Sequence, residues 1–425
     1  MFSALIFSFI LLALTILLLL KSKSVLQLPL SWTLGSLGLK LLAAAFLWWL
    51  YTYHYSDRSA ADIYKYFDDA RAIEKACEEY EVSKWDFYNP WQERTAAHQK
   101  ALSNTMHWDL AKVYLVNDNR TMSRIHLLIL PFSKGHFWAH QLFFTLLSFW
   151  GTIMLFLFFK PFFHHKHRLL FYLLFLFPSI LLWTSGALKE SFLFFAMGGF
   201  LYTAQKSIDH GKIQFIPLLL VFTALLINIK IYLAIVLIPL TIPMLGLKKM
   251  NYRHYGLNSF YELVSVGIIS LLLSGKEIVQ KIQMKLNDFT DLALANEAGS
   301  YYEIPTYQSI LDLLIYMPIA LYNVLIRPIF PNSVNALSLL SALEHLILLT
   351  LLTLAVLRRK NPTENQKQLA WFCLSTFLPI AILTGSTVPV LGAITRYKVV
   401  FLPFYLCLLL TFVDLKRIPI LKKLI

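Results

Sequence analysis

The sequence predicts an all-α, polytopic integral membrane protein, and three observations predict it. Of its 425 residues 57% are hydrophobic and only 15% are charged, against the roughly 25% charged that soluble domains carry. Mean hydropathy is +0.60. Apolar runs at 2–20, 34–55, 138–159, 168–185, 190–205, 213–229, 231–247, 259–273, 313–330, 336–357, 368–386 and 396–414 reach or approach the roughly 20 residues that cross a bilayer. A soluble enzyme, a secreted disulfide scaffold and a porin-type barrel are excluded on these grounds.

The first run, 2–20, reads as a retained span and not a signal peptide, because Lys21 and Lys23 follow its apolar stretch and no small-residue cleavage site is evident. The second ends near residue 55 and opens a long polar loop, 56–137. There Ile63, Tyr66, Phe67, Ala70, Ile73, Cys77 and Tyr80 recur at helical spacing behind a capping-box pattern, Ser59-Ala60-Ala61-Asp62. A helix lying at the membrane surface is expected. Trp85, Tyr88, Trp91 and Trp108 supply aromatic bodies with polar tips, which suit the headgroup level.

Net charge is +14, from 38 basic and 24 acidic residues. Residues 56–124 hold 10 basic and 12 acidic residues, so the excess sits in short loops beside apolar runs. That is the positive-inside pattern, and nucleic acid is not an expected partner. If the 18 short-loop cations, from Lys21 to Lys423, face the cytoplasm, one of the two runs between 253 and 358 must fail to cross. The run 313–330 holds or borders Asp312, Pro318, Asn323, Arg327 and Pro328, so it is expected to lie along the outer surface or to dip in and return. About 11 transmembrane helices follow, with the N-terminus outside and the C-terminus inside.

The expected organisation is two N-terminal transmembrane helices (1–55), a large extracytoplasmic loop with an amphipathic helix (56–137), a helix bundle (138–273), a second extracytoplasmic segment with an interfacial helix (274–335), and C-terminal helices with a basic cytoplasmic tail (336–425).

On this topology the ionisable residues left over by the positive-inside loops share one side. Asp62, Asp68 and Asp69 follow the second span; Lys189 and Glu190 lie between two runs; Lys230 sits in the Asn228-Ile229-Lys230 turn; Arg327 precedes Pro328; Arg396 and Lys398 open the last run. Charges near the ends of spans are costly and mark candidate sites. Acids from one loop with bases from several others fit an anionic ligand held beside carboxylates, with lysine binding phosphate as a point charge and arginine as a fork.

Each residue also has a plainer role. Asp62 can cap its helix, and Lys189 and Lys230 can snorkel to headgroups. Asp62, Tyr66 and Asp69, spaced i, i+4, i+7, can form an ordinary solvated face. Adjacent residues of the run His164-His165-Lys166-His167 cannot all face one ion, so no metal site is assigned. Cys77, Cys373 and Cys407 lie far apart, which argues against disulfides and a cysteine metal site. No cofactor is expected, and a divalent cation is left open. GxxxxGK[ST], GxGxxG, HExxH and GxSxG are absent.

The segments Tyr51-Thr-Tyr-His-Tyr-Ser, Asp62-Ile-Tyr-Lys-Tyr-Phe-Asp-Asp-Ala, Asn117-Asp-Asn-Arg-Thr-Met, the stretch from Phe177 to Glu190, Ile326-Arg-Pro-Ile-Phe-Pro with Leu343-Glu-His, and the stretch from Leu391 to Lys398 together carry a resemblance. They resemble bacterial polytopic proteins of the GT-C glycosyltransferase type and the neighbouring polysaccharide polymerases. The likeness runs from about residue 50 to 403 through short motifs. It implies a GT-C-like fold in the bacterial cytoplasmic (inner) membrane, with an extracytoplasmic active site and hexosyl or pentosyl transfer in cell-envelope glycan assembly.

In that group an acid of the first outer loop acts on the acceptor, and basic residues bind the phosphate of a polyprenyl-linked sugar donor. By that likeness Asp62 or Asp69, with Asp68 beside them, supplies the base. Lys189, Lys230, Arg327, Arg396 and Lys398 form the phosphate cradle, joined by Glu190, Tyr397 and Arg120 from the same segments. The implied partners are a lipid-linked sugar donor, a glycan, lipid or protein acceptor, and membrane lipids. The sequence departs from the group in its extra N-terminal span and in lacking a tight Asp-Glu or Asp-x-Asp pair directly after the preceding span. The alternatives are an O-antigen or exopolysaccharide polymerase or ligase relying chiefly on arginines, and, from another class, a transporter or flippase of an anionic lipid.

Overall fold

A computed structural model describes residues 1–54, 58, 61–89, 95–106, 117–164, 166–295, 297–327, 336–357 and 359–414. Among these the chain is helical throughout. In order the α-helices are α1 (Phe2–Leu26), α2 (Leu30–Trp49), α3 (Asp62–Glu79), α4 (Ala96–Leu102), α5 (Asp118–Ser133), α6 (Phe137–Phe159), α7 (His167–Phe175), α8 (Pro178–Trp183) and α9 (Lys189–Ala204). They continue as α10 (Ile216–Ile229), α11 (Ile231–Lys249), α12 (Tyr255–Ala295), α13 (Ile310–Leu325), α14 (Ala336–Leu357), α15 (Glu364–Thr387), α16 (Leu391–Tyr397) and α17 (Leu402–Phe412). Among the described residues β pairing is confined to two isolated bridges, Tyr301 with Val390 and Arg359 with Val413.

Among the described residues six helical segments are long and apolar enough to cross a bilayer: Phe2–Leu26, Leu30–His54, Phe137–Phe162, Ile231–Lys249, Tyr255–Ala295 and Glu364–Thr387. In α1 and α12 the burial pattern is inverted relative to a soluble protein. In α1 Ser8 and Thr15 point inward while Phe9, Leu14 and Leu17 are exposed, and in α12 Leu272 and Leu273 are about 80% exposed. Only a hydrocarbon solvent rewards that arrangement, so the chain is an α-helical membrane protein.

Several other expected crossings are broken or short. The run 168–185 is divided between α7 and α8, because Pro178 lacks the N–H that would continue a helix and instead starts a new one. Helix α9 leaves its α geometry at Gln205, and the apolar helix Ile213–Ile229 stops one residue before Lys230. The run 396–414 becomes a bent pair, Leu391–Val400 and Leu402–Phe412, at 72°, which counts as a seventh crossing if the pair is one span. Helix α13, the run expected not to cross, has 16 residues, or about 24 Å at 1.5 Å per residue, against a core of about 30 Å.

The chain divides into two compact units. One comprises Met1–Met154, Leu181–Phe200 and Leu220–Ile231; the other comprises Leu155–Ile180, Leu201–Leu219 and Tyr232–Ile425. In the first unit the expected helix of the outer loop forms as α3. Its apolar face is not left to the headgroups, however. Phe67, Ala70, Ile73 and Cys77 pack on Phe87 from the short turn before α4, Ala101 and Leu102 from α4, and Leu127 and Leu130 from α5, giving the loop a core of its own. Phe67 also meets Phe137 and His140 at the start of α6, which seats that core on a span. The cap differs from expectation: Ala61 is the N-cap and Asp62 is the first helical residue. Ser59, Ala60, Trp91 and Trp108 lie outside the described residues.

Also in this unit, α6 and α9 approach backbone to backbone. A Cβ on Gly198 would stand 2.1 Å from the Gly151 carbonyl oxygen, and one on Gly151 would stand 2.3 Å from that of Phe194. Small residues at such a contact let helices approach closely within a bilayer. Gly198→Leu is expected to lower stability by at least about 1–3 kcal/mol, the range for overpacking. A thermal melt in detergent checks this, and an unchanged melt would mean the two helices separate freely.

In the second unit α13 packs on α15, with the Gly385 Cα facing the Ala320 carbonyl, and Val279, Leu286, Tyr307, Tyr316 and Ala320 cluster between α12 and α13. Lys166, expected as a loop cation, is buried there. Its Nζ donates to the carbonyls of Leu410 at 2.7 Å and Val413 at 2.6 Å, satisfying the C-terminal end of α17.

Candidate functional site

The first unit brings two of the expected lysines onto one carboxylate. Asn117 caps α5, its side chain accepting the Arg120 backbone N–H at 3.0 Å, which fixes Asp118 in the first turn. An acid there is favoured by the unpaired N–H groups of the helix start. Lys189 is the first residue of α9, and its Nζ lies 2.7 Å from Asp118 Oδ2. Lys230, between α10 and α11, places its Nζ 3.8 Å from the same oxygen.

Asn119 Oδ1 accepts from Lys189 and, at 3.3 Å, from the Tyr66 hydroxyl. The Lys189 ammonium also stands 5.3 Å from the centre of the Tyr66 ring. The lysine side chains are 13% and 10% exposed and Asp118 is 35% exposed, so the cluster is partly enclosed and reached from the Asp118 side.

Burial opposes the charge on Asp118. Lys189 and Lys230, with hydrogen bonds from Lys189 and the Asn119 backbone, outweigh it and hold the carboxyl below the usual 3.8. The stabilisation from this depressed acid is complete at neutral pH and is lost only as pH falls through the lowered value. Counted over Asp118, Lys189 and Lys230 alone, two ammonium groups sharing one ionised carboxylate leave one positive charge in excess. An anion with several oxygens, such as a phosphate, suits that excess.

The expected aspartates separate. Asp68 accepts a fork from Arg58 at 2.7 and 2.8 Å on the exposed surface. Asp69 is 2% exposed, and its Oδ1 accepts the Met106 N–H at 2.8 Å, so it fastens the loop that follows α4. Its place beside Asp62 on a solvated face is therefore corrected: the i+7 step keeps the two on one face of α3, and the loop after α4 covers that face at Asp69. Asp62 stands at the start of α3, 3.4 Å from Lys65, and its charge acts on Lys189. Glu190 is buried in the first turn of α9, and Arg120 is half-buried in that of α5. Sequence reasoning missed Asp118, Asn119 and Tyr66 as members of the cluster. Asp118 and Asn119 stand in the quoted Asn117–Met122 segment, where only Arg120 was singled out.

The remaining expected residues belong to the second unit. Lys398 is paired with Glu344, the two side chains being 1% and 2% exposed, and Glu344 also accepts the Ser179 N–H at 2.6 Å. The Lys398 ammonium is thus paired with a buried carboxylate. Arg327 is exposed, donates to Asn323 Oδ1 at 3.3 Å, and lies 5.8 and 5.7 Å from the rings of Tyr302 and Tyr322. Arg396 is half-buried in the last turn of α16, and the Tyr397 ring meets Phe289 edge-on at 5.5 Å. Among the described residues no group of three His, Cys, Asp or Glu side chains is placed to hold a metal ion.

Comparison with protein-family models, with curated proteins and with solved structures found no match.

Proposed function

We propose that this membrane protein is a GT-C-like glycosyltransferase of about 11 crossings in a bacterial inner membrane, moving a sugar from a polyprenyl-phosphate-type donor to an extracytoplasmic acceptor. The observation that carries the reading is the convergence of Lys189 and Lys230 on Asp118 beside the outer-loop helix α3. The donor phosphate takes up the excess positive charge of the two lysines. Asp62 is the base: its charge acts on Lys189, while Asp68 is bonded to Arg58 and Asp69 to Met106. An acceptor hydroxyl gives its proton to Asp62 as its oxygen bonds to the sugar's anomeric carbon. The bond from that carbon to the phosphate oxygen breaks, and the lysines receive the leaving phosphate's charge.

Mass analysis of polyprenyl-linked sugars and surface glycolipids from a deletion strain tests the reading. The expected outcome is accumulation of one lipid-linked sugar together with loss of one glycan substituent. Unchanged profiles in both fractions would overturn it. A second reading, a polymerase or ligase of lipid-linked oligosaccharides, is favoured by Arg327, whose exposed guanidinium is framed by Tyr302 and Tyr322. A strain that keeps every substituent but shortens its polymer would move that reading ahead.

A further inference from the structure

Lys40 lies in the middle of α2, a bilayer-crossing helix, and is 4% exposed. A lysine there is costly, and leucine would serve the span better. Its Nζ donates to Thr184 Oγ1 at 2.5 Å, and no carboxylate among the described residues pairs with it.

Thr184 begins the non-helical turn between α8 and α9, and neighbouring polar groups hold the same turn. Ser148 Oγ donates to the Thr184 carbonyl at 2.5 Å, and Gly186 N–H donates to Thr145 Oγ1 at 2.9 Å. Gly186 has a φ of +86°, and a Cβ there would stand 3.1 Å from the Gln141 amide nitrogen. That nitrogen donates to the Ala44 carbonyl, one turn of α2 beyond Lys40. Helices α2 and α6 therefore grip residues 184–186 through side chains, and Lys189 follows three residues later.

We propose that Lys40 is a positioning residue, holding the 184–188 turn so that Lys189 enters α9 aimed at Asp118. The inference rests on the reading of Asp118, Lys189 and Lys230 as a phosphate cradle. Lys40 touches no ligand; it acts through Thr184, and the buried ammonium–hydroxyl contact fixes a turn that has no helical hydrogen-bond ladder of its own.

Two measurements on the purified full chain in nanodiscs test this. The first is amide hydrogen exchange over residues 184–191, and the second is affinity for farnesyl phosphate. Lys40→Met and Thr184→Val are each expected to speed exchange in that segment and to weaken the probe about tenfold, within the range for residues coupled through one contact. The double variant should be no worse than either single one, and Lys40→Arg should restore both readouts. If Lys40→Met does not fold, Thr184→Val carries the test.

Exchange that stays at the wild-type rate in Thr184→Val overturns the proposal. So does a Lys40→Met protein that loses the probe while Thr184→Val binds normally. If the segment loosens in both variants yet Lys189→Met binds the probe as wild type does, the cradle reading fails and the hold of Lys40 on the turn stands.

Discussion

Lys189→Met is expected to bind a polyprenyl phosphate about tenfold to a hundredfold more weakly than the wild type, corresponding to loss of one charged hydrogen bond of about 1.5–3 kcal/mol. Methionine keeps the length and apolar stem of the side chain, so the change is one of charge. Lys230 remains, but with Lys189 gone Asp118 neutralises it and the excess positive charge disappears. Lys248→Met is the matched control, since Lys248 is also paired with an aspartate, Asp209, but in the other unit. Titration of both variants with farnesyl phosphate checks the expectation. Equal losses would reduce Lys189 to one cation among many, acting through net charge.

Asp62→Asn is expected to leave donor affinity near the wild-type value and to lower turnover by about 10²–10⁴-fold, the usual range for removing a positioned general base. The amide keeps the side chain's shape. Folding does not confuse the result, because Ala61 and not Asp62 caps α3, and the lost interaction with the helix start is worth about 0.3–1 kcal/mol. Asp68→Asn, which breaks only the exposed pair with Arg58, is expected to be near-normal. Single-turnover measurement with bound donor separates the two steps. Near-normal turnover in Asp62→Asn would remove the base from this helix and favour the arginine-dependent polymerase.

The parts of the fold that rest on local pattern were legible in the sequence. The apolar helices Phe2–Leu26 and Phe137–Phe162 follow from uninterrupted apolar runs, Leu30–His54 from a run that Lys40 interrupts, and α3 from its 3.6-residue spacing. Breaks inside apolar runs were not legible, because hydropathy is blind to backbone geometry. The turn at 184–188 is apolar enough to average away, although Pro178 and Gly186 mark where the helix stops.

The site was legible in half. Lys189 and Lys230 stand out as charges that apolar surroundings do not explain. Asp118 does not, since it lies in a polar stretch where any acid looks ordinary, 71 residues from Lys189 in the chain. Glu344 is conspicuous in its apolar run, but its separation from Lys398 in the chain hides that the two meet. Single-sequence reading gives no signal for which distant opposite charges meet, so a paired lysine and a ligand-binding one look alike. Asp69 misled through its spacing, because a helix packed on two sides by its own loop buries positions that one solvated face would leave out.

The central claim, that a lipid-linked phosphate is held at Lys189 and Lys230 while its sugar is transferred, is tested most directly by reconstitution. Purified protein in vesicles is supplied with radiolabelled polyprenyl-phosphate sugars extracted from the deletion strain, together with that strain's surface glycolipid as acceptor. The account predicts label in a new glycosidic bond with the wild type, and none with Lys189→Met or Asp62→Asn. Labelled lipid that crosses the bilayer with no new glycosidic bond formed, equally in all three proteins, would contradict it.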